Sequence, residues 1–159
     1  RQKRNVELNG CGHPVRYHQV ALSSTTGNLR IGFDENSGDN NAIICENGDI
    51  VVPVTTLDSL VKESGCERDG LIKIDVEGYE PKVIEGAIET ITGHRPIVFA
   101  EFNRERMAIN NFDMAVSWSW FHDREYQAYQ LTGTKLARLN QPGVVENIYF
   151  LPAEMKIPL

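Results

Sequence analysis

Four carboxylates punctuate the middle of the chain. Asp75, Glu77 and Glu80 stand in one run, and Glu101 follows later with Asn103 beside it. Carboxylates gathered on one edge can take a proton from a hydroxyl as general base, bind a divalent cation, or hold polar groups of a cofactor. Asp75 and Glu77 alternate along the backbone and share a face if a strand runs through them. A charge placed at the end of a buried strand is costly unless it is used or paired. Glu80 falls at the start of a helix, where a capping role and a site role are equally compatible with its position. Glu85 and Glu89 stand four apart on that helix and read as solvated. Other chemistries lack their signals. His13, His18, His94 and His122 show no metal-ligand spacing, so no zinc site is expected and none of them is assigned to a metal. Ser59 and Ser119 have no histidine nearby in sequence, and neither a G-x-S-x-G elbow nor a Walker-type glycine loop occurs.

The elements that must position these acids can be read around them. Leu71-Ile72-Lys73-Ile74 is a short, β-rich run bounded by Asp69-Gly70, so Asp75 and Glu77 fall where a strand ends. Gly78 permits a turn and Pro81 suits a first helical turn. Val83, Ile84, Ala87, Ile88 and Ile91 form one apolar stripe, which predicts a single helix closing at Gly93. Pro96 leads into a second strand, Ile97 to Asn103, again ending in polar residues. In open α/β sheets ligands bind at that carboxyl edge.

The remaining segments follow the same logic. Arg1 to Asn9 reads as the last turns of a helix, closed by Gly10 and Gly12. Strands are expected over Pro14–Leu22, Leu29–Phe33, Ala42–Glu46 and Ile50–Thr55, with Asn47-Gly48 as a hairpin signal between the last two. Thr55 or Thr56 caps a short helix. Arg104–Asn111 reads as a polar loop and Phe112–Tyr126 as a helix whose Trp118 and Trp120 pack in the core. Strands at Tyr126–Leu131, Lys135–Leu139 and Val145–Leu151 close the chain. Asp34–Asn41 is a polar loop able to contact a small acceptor. Alternating strands and helices predict an α/β fold with a mostly parallel sheet and an antiparallel C-terminal strand.

Composition sets limits. The 159 residues suit a single domain with a sizeable core. The net charge of −6 argues against nucleic-acid or anionic-membrane partners. Cys11, Cys45 and Cys66 give no disulfide framework, which fits a cytoplasmic protein. No run is long enough to span a membrane, and the opening residues hold no secretory h-region.

Read together, Thr56-Leu57-Asp58-Ser59-Leu60, Lys73-Ile74-Asp75-Val76-Glu77-Gly78-Tyr79-Glu80, Gly86-Ala87 and Pro96-Ile97-Val98-Phe99-Ala100-Glu101-Phe102 resemble the FkbM-type family of S-adenosylmethionine-dependent methyltransferases. The resemblance extends over roughly Arg4 to Leu151. It implies a Rossmann-like methyltransferase sheet in which Leu71–Asp75 is the fourth strand and Ile97–Phe102 the fifth. It also implies that the first two strands lie ahead of Arg1, so that 1–159 is a partial domain. The implied cofactor is S-adenosylmethionine, with Val20 and Ala21 beside the adenine and Asp75, Val76 and Glu77 facing methyl donor and acceptor. The implied reaction is methylation of a hydroxyl on a sugar, polyketide-like or other small acceptor. Asp75, Glu77 and Glu101 are then the expected catalytic residues. Two other readings are open: a metal-dependent fragment of a (β/α)8 barrel, whose strands also end in carboxylates, and a non-catalytic remnant of a methyltransferase.

Overall fold

Alternation of apolar and polar residues along the strands sorts the chain into two sheets joined by short helices. The computed structural model describes residues 2–11, 15–33, 42–44, 47–68, 70–143 and 146–156. The chain opens with helix α1 (Gln2–Leu8). Sheet one contains β1 (Ala21–Leu22), β2 (Gly27–Phe33), β3 (Ala42–Ile44) and β4 (Ile50–Thr55), in the order β1-β4-β2-β3. Sheet two contains β5 (Leu71–Ile74), β6 (Ile97–Glu101), β7 (Tyr126–Thr132), β8 (Lys135–Arg138) and β9 (Asn147–Pro152), in the order β5-β6-β9-β7-β8. Helices α2 (Leu57–Ser64), α3 (Glu80–Glu85), α4 (Ile88–His94), α5 (Arg104–Ile109) and α6 (Met114–His122) complete a mixed α/β fold.

The expectation of a mostly parallel sheet is corrected. Among the described residues β1 pairs parallel with β4 and β5 with β6. The other pairings are antiparallel. The reason lies in the connections, because a parallel pair needs a long crossover. In sheet two α3 and α4 carry β5 to β6 as an adjacent parallel pair, while α5 and α6 carry β6 to β7 in the same direction but β9 inserts antiparallel between them. The β7–β8 link is a two-residue turn, Gly133-Thr134, which forces an antiparallel hairpin. The antiparallel C-terminal strand is as expected, with β9 seated between β6 and β7.

Three local expectations change. Asn47-Gly48 does not turn a hairpin, since β3 and β4 lie on opposite sides of β2. Ile44 and Ile50 both pair with Ile31, and the link crosses the sheet there, with Arg30 Nη1 donating to the Gly48 carbonyl at 3.1 Å. Of the strand expected over Pro14–Leu22, the described residues 15–22 show strand geometry at Ala21–Leu22 alone. Arg104–Asn111 is not a loop: Asn103 Oδ1 accepts from the Arg106 amide at 3.1 Å and caps α5, whose Met107 is buried. The Asp34–Asn41 loop, Gly12, Cys45, Glu46 and Val145 lie outside the described residues.

The single helix expected after Pro81 is broken into α3 and α4 at Gly86-Ala87. Gly86 is pressed against Ser23 at the end of β1, where a built Cβ would stand 2.0 Å from the Ser23 carbonyl oxygen. The Gly86 carbonyl turns outward to accept from the Asp58 amide at 3.0 Å. Asp58 returns the contact: its carboxylate accepts from the amides of Glu89 (3.0 Å) and Thr90 (2.8 Å), capping α4 from another helix. Thr56, at the same motif, caps α2 by accepting from the Ser59 amide at 3.1 Å. The Thr-Leu-Asp-Ser-Leu and Gly-Ala motifs are therefore the joint between the two sheets. Asp58→Ala is expected to cost about 1 kcal/mol, the usual value of a lost cap, read as a shift in urea midpoint.

One face of sheet two carries the core. Val98, Ala100, Ile148 and Phe150 point into it, with Ile74, Val83, Ile84, Ile91, Phe102 and Phe121 from the surrounding elements. Phe121 of α6 stacks on Phe150 with ring centroids 4.0 Å apart. Trp118 packs edge-on against Phe150, as expected of a core tryptophan. At the amino end of β6, Arg95 takes a left-handed conformation (φ 52°) and closes α4, a role expected of Gly93. Arg95 donates to the Arg124 and Glu125 carbonyls and to both oxygens of Glu154. Buried Tyr126 donates to the Ile91 and Pro96 carbonyls, and burial pushes its hydroxyl up to about 12.

The hydrogen bonds from Arg95 hold the Glu154 carboxyl down at about 2. A depressed carboxylate contributes stability above its ordinary value of 4.5 that is lost as pH falls toward 2. Glu154 is largely exposed, so solvent screening keeps this contribution below about 1 kcal/mol. Glu154→Gln should lower stability at neutral pH by up to that amount, flatten the curve between those two values, and meet the parent curve at the acid end.

Candidate functional site

The site is built where β5 and β6 end side by side. Ile74 pairs with Ala100, so Asp75 and Glu101 are the next residues of neighbouring parallel strands. Lys73 stands between them: its ammonium meets Asp75 Oδ2 at 2.7 Å and lies 5.9 Å from the centre of the Phe99 ring. The hydrogen bond to Asp75, with help from the charges of Asp75 and Glu101, raises the Lys73 ammonium above its ordinary value. Phe99 stacks on Tyr149 at 4.4 Å. The strand edge is thus a charged group of three, Lys73, Asp75 and Glu101, over an aromatic shelf.

Glu77 reaches the edge differently. β5 stops at Ile74, so the alternation that would align Asp75 with Glu77 ends before either residue. Glu77 and Gly78 instead take consecutive left-handed conformations, φ 55° and 91°. A non-glycine residue there is strained, and such strain persists where the surroundings fix it. Two contacts do so. Gly78 lies against the backbone of α5, where a built Cβ would stand 2.6 Å from the Arg106 carbonyl carbon. From below, Glu80 Oε1 accepts from the amides of Val76 (3.3 Å) and Gly78 (3.0 Å). Glu80 is fully buried, and its Oε2 has no partner among the described residues. Burial pushes the Glu80 carboxyl above its ordinary value against the pull of those amides. The Glu77 side chain is exposed and makes no ion pair among the described residues.

A pocket of about 450 Å³ opens at the same edge, lined by Arg104, Met107, Phe112, Asp113, Met114 and Gly143. It lies on this edge because α5 follows β6, and Gly143 shortly precedes β9, whose Asn147 pairs with Glu101. Phe112 also packs edge-on against Tyr79 at 5.5 Å, linking the pocket wall to the Glu77 turn.

The comparisons bear on what this edge does. The profile of the Methyltransferase FkbM domain matches residues 1–129. The chain belongs to the FkbM methyltransferase family. A crystal structure of the FkbM methyltransferase from Methylobacillus flagellatus KT is similar in fold, with a TM-score of 0.55 at 14% identity. The similarity covers 94% of this chain and 32% of that protein, so the chain spans about a third of its structural relative's length. No curated protein sequence matches the chain.

Within the family frame, the structure brings together Asp75, Val76, Glu77 and Glu101. It does not bring Val20 and Ala21 to them. Both are partly buried beside or in β1 of sheet one. β1 meets α3 through Ser23 and Gly86, at the end of α3 away from Asp75. Asn103, read as a neutral partner of the acids, is spent on capping α5. The pocket residues Arg104 and Met107 carry no role in the sequence, where Arg104–Asn111 has the polar composition of a loop. The signal was an Asn followed by Arg-Glu-Arg-Met, a cap and first turn. Among the described residues no three His, Cys, Asp or Glu side chains gather as a metal-binding group. No helix among them is long and apolar enough to cross a membrane.

Proposed function

We propose that this chain carries the acceptor side of an S-adenosylmethionine-dependent methyltransferase that methylates a hydroxyl on a sugar, polyketide-like or other small acceptor. The single observation that carries the reading is the pairing of a salt-bridged acid, Asp75, with an unpaired, backbone-constrained acid, Glu77, at one strand end, in a chain of this family. The order β5-β6-β9-β7, with its last strand inserted antiparallel, supports a Rossmann-like sheet. A cytoplasmic enzyme acting on a soluble acceptor, without nucleic acid or membrane partners, belongs to the same reading.

The residues present fit such a cofactor. A methionine-derived sulfonium with an ammonium group asks for acceptors and a partly apolar floor, and Asp75, Glu77 and half-buried Val76 offer both. Asp75 and Val76 would hold the cofactor. When bound, S-adenosylmethionine supplies an electrophilic methyl group. The chain's own residues supply alignment and a proton acceptor. Lys73 fixes Asp75. Glu77 Oε takes the proton of the acceptor hydroxyl, and Glu101 supports the orientation of that hydroxyl. The pocket beside α5 receives the rest of the acceptor, with Arg104 and Asp113 as its polar contacts and Met107, Phe112 and Met114 as its apolar ones. Alignment of this kind is worth several kcal/mol of barrier, so even an ordinary carboxylate base suffices.

The test is transfer of labelled methyl from S-adenosylmethionine to a panel of hydroxylated saccharides and polyketide-like alcohols, using the whole protein, whatever its length. Label in an O-methyl product supports the reading. Label only in carboxyl or amine positions, or none, overturns it. No observation favours the barrel or remnant readings.

A further inference from the structure

We propose that Glu80 is a positioning residue for this site: its buried carboxyl grips the amides of Val76 and Gly78 and so fixes the left-handed turn that presents Glu77. The catalytic consequence rests on the reading just given, while the grip rests on geometry alone.

Three observations converge. First, the direction of the contacts is wrong for an ordinary cap. A capping side chain accepts from amides inside its helix, whereas Glu80 sits in α3 and accepts from two amides that precede it. Second, the placement is expensive. A fully buried acid with one oxygen unpartnered among the described residues is the least favourable use of a glutamate, and a fold carries one where it does something apolar residues cannot. Third, what it holds is strained. Glu77 and Gly78 both have positive φ, and Gly78 has no room to move because the α5 backbone lies against it. Removing the acceptor would leave two amides unpaired below a turn otherwise closed only by the 3.3 Å bond from the Tyr79 amide to the Val76 carbonyl. The Glu77 carboxylate would then sample many positions.

The oxygen atom, rather than the charge, makes the grip. Glu80→Gln keeps an acceptor at the same reach, Glu80→Asp shortens it by one methylene, and Glu80→Ala removes it. Three readouts on the whole protein test the idea. In native-state amide exchange, Glu80→Ala should speed exchange at Val76 and Gly78 by about 100-fold, leaving Ala100 of β6 unmoved, and Glu80→Gln should stay within about tenfold of the parent. In turnover, Glu80→Ala should lower kcat by about 100-fold, well beyond its effect on cofactor affinity, because Asp75 keeps its hold through Lys73. In a double-mutant cycle, adding Glu80→Ala to Glu77→Ala should cost no more than about threefold further, because the partner it positions is already gone.

Unchanged protection at Gly78 in Glu80→Ala overturns the proposal, as does an equal loss of kcat in the Glu77→Ala background, which marks a general structural role. If Glu80→Ala does not fold, Glu80→Asp against Glu80→Gln makes the same comparison. Faster exchange at Gly78 in the aspartate variant alone supports the grip, and equal protection in both overturns it. A parent that neither binds nor uses S-adenosylmethionine sinks the methyltransferase reading, and the exchange comparison then judges the grip by itself.

Discussion

Replacing Gly86 by alanine is expected to destabilise the protein by about 3 kcal/mol or more, the upper end of what overpacking costs. The new Cβ would stand 2.0 Å from the Ser23 carbonyl oxygen and 2.9 Å from its carbon. Both partners are backbone, so no rotamer change relieves the clash. Relief requires moving β1 off the α3–α4 junction, which also breaks the 3.0 Å bond from the Asp58 amide to the Gly86 carbonyl. That bond and the Asp58 cap on α4 tie sheet one to sheet two, so the damage spreads beyond one side chain. Gly93 is the matched control. It lies in α4 with open space around its Cβ position, and Gly93→Ala should stabilise by about 1 kcal/mol through helix propensity. Urea unfolding separates the two: midpoints should move in opposite directions at nearly constant m. A Gly86→Ala midpoint at or above that of the parent would refute the joint.

The second large effect is on activity. Glu77→Gln should lower kcat by about 100-fold, the lower range for loss of a general base, with stability changed by less than about 0.5 kcal/mol. The small stability effect follows from exposure and the absence of an ion pair at Glu77, together with the equal tolerance of Gln and Glu for the imposed backbone. A matching loss of kcat and of stability would mean that the substitution unseats the turn rather than the chemistry. Parent-like turnover would remove Glu77 from the mechanism.

Much of this was legible in the sequence, and what was not has physical causes. The limits of β5, Leu71–Ile74, emerge from a short β-rich run, and the Thr56 cap from its side chain. Those are local signals. The break at Gly86 is not local: an apolar stripe from Val83 to Ile91 reads as one helix, and only contact with Ser23, over sixty residues away, interrupts it. Sheet parity failed similarly. Alternation of strands and helices points to parallel pairing, but pairing follows which strands meet, and β3 turns out to flank β2 rather than β4. Asp75, Glu77 and Glu101 draw attention in the sequence because polar residues that end buried strands stand out against their neighbours. Lys73 and Glu80 were weighed less. Ion-pair partners and burial depend on packing that spacing does not reveal.

The central claim is that the end of β5 holds a methyl-donor cofactor, and the most direct measurement is calorimetric titration of the whole protein with S-adenosylmethionine, parent beside Asp75→Asn. The account predicts a saturable heat for the parent and an affinity at least about tenfold weaker for the variant, the loss expected when one charge-assisted contact is removed. No saturable heat from the parent, or equal affinity in the two proteins, would contradict it.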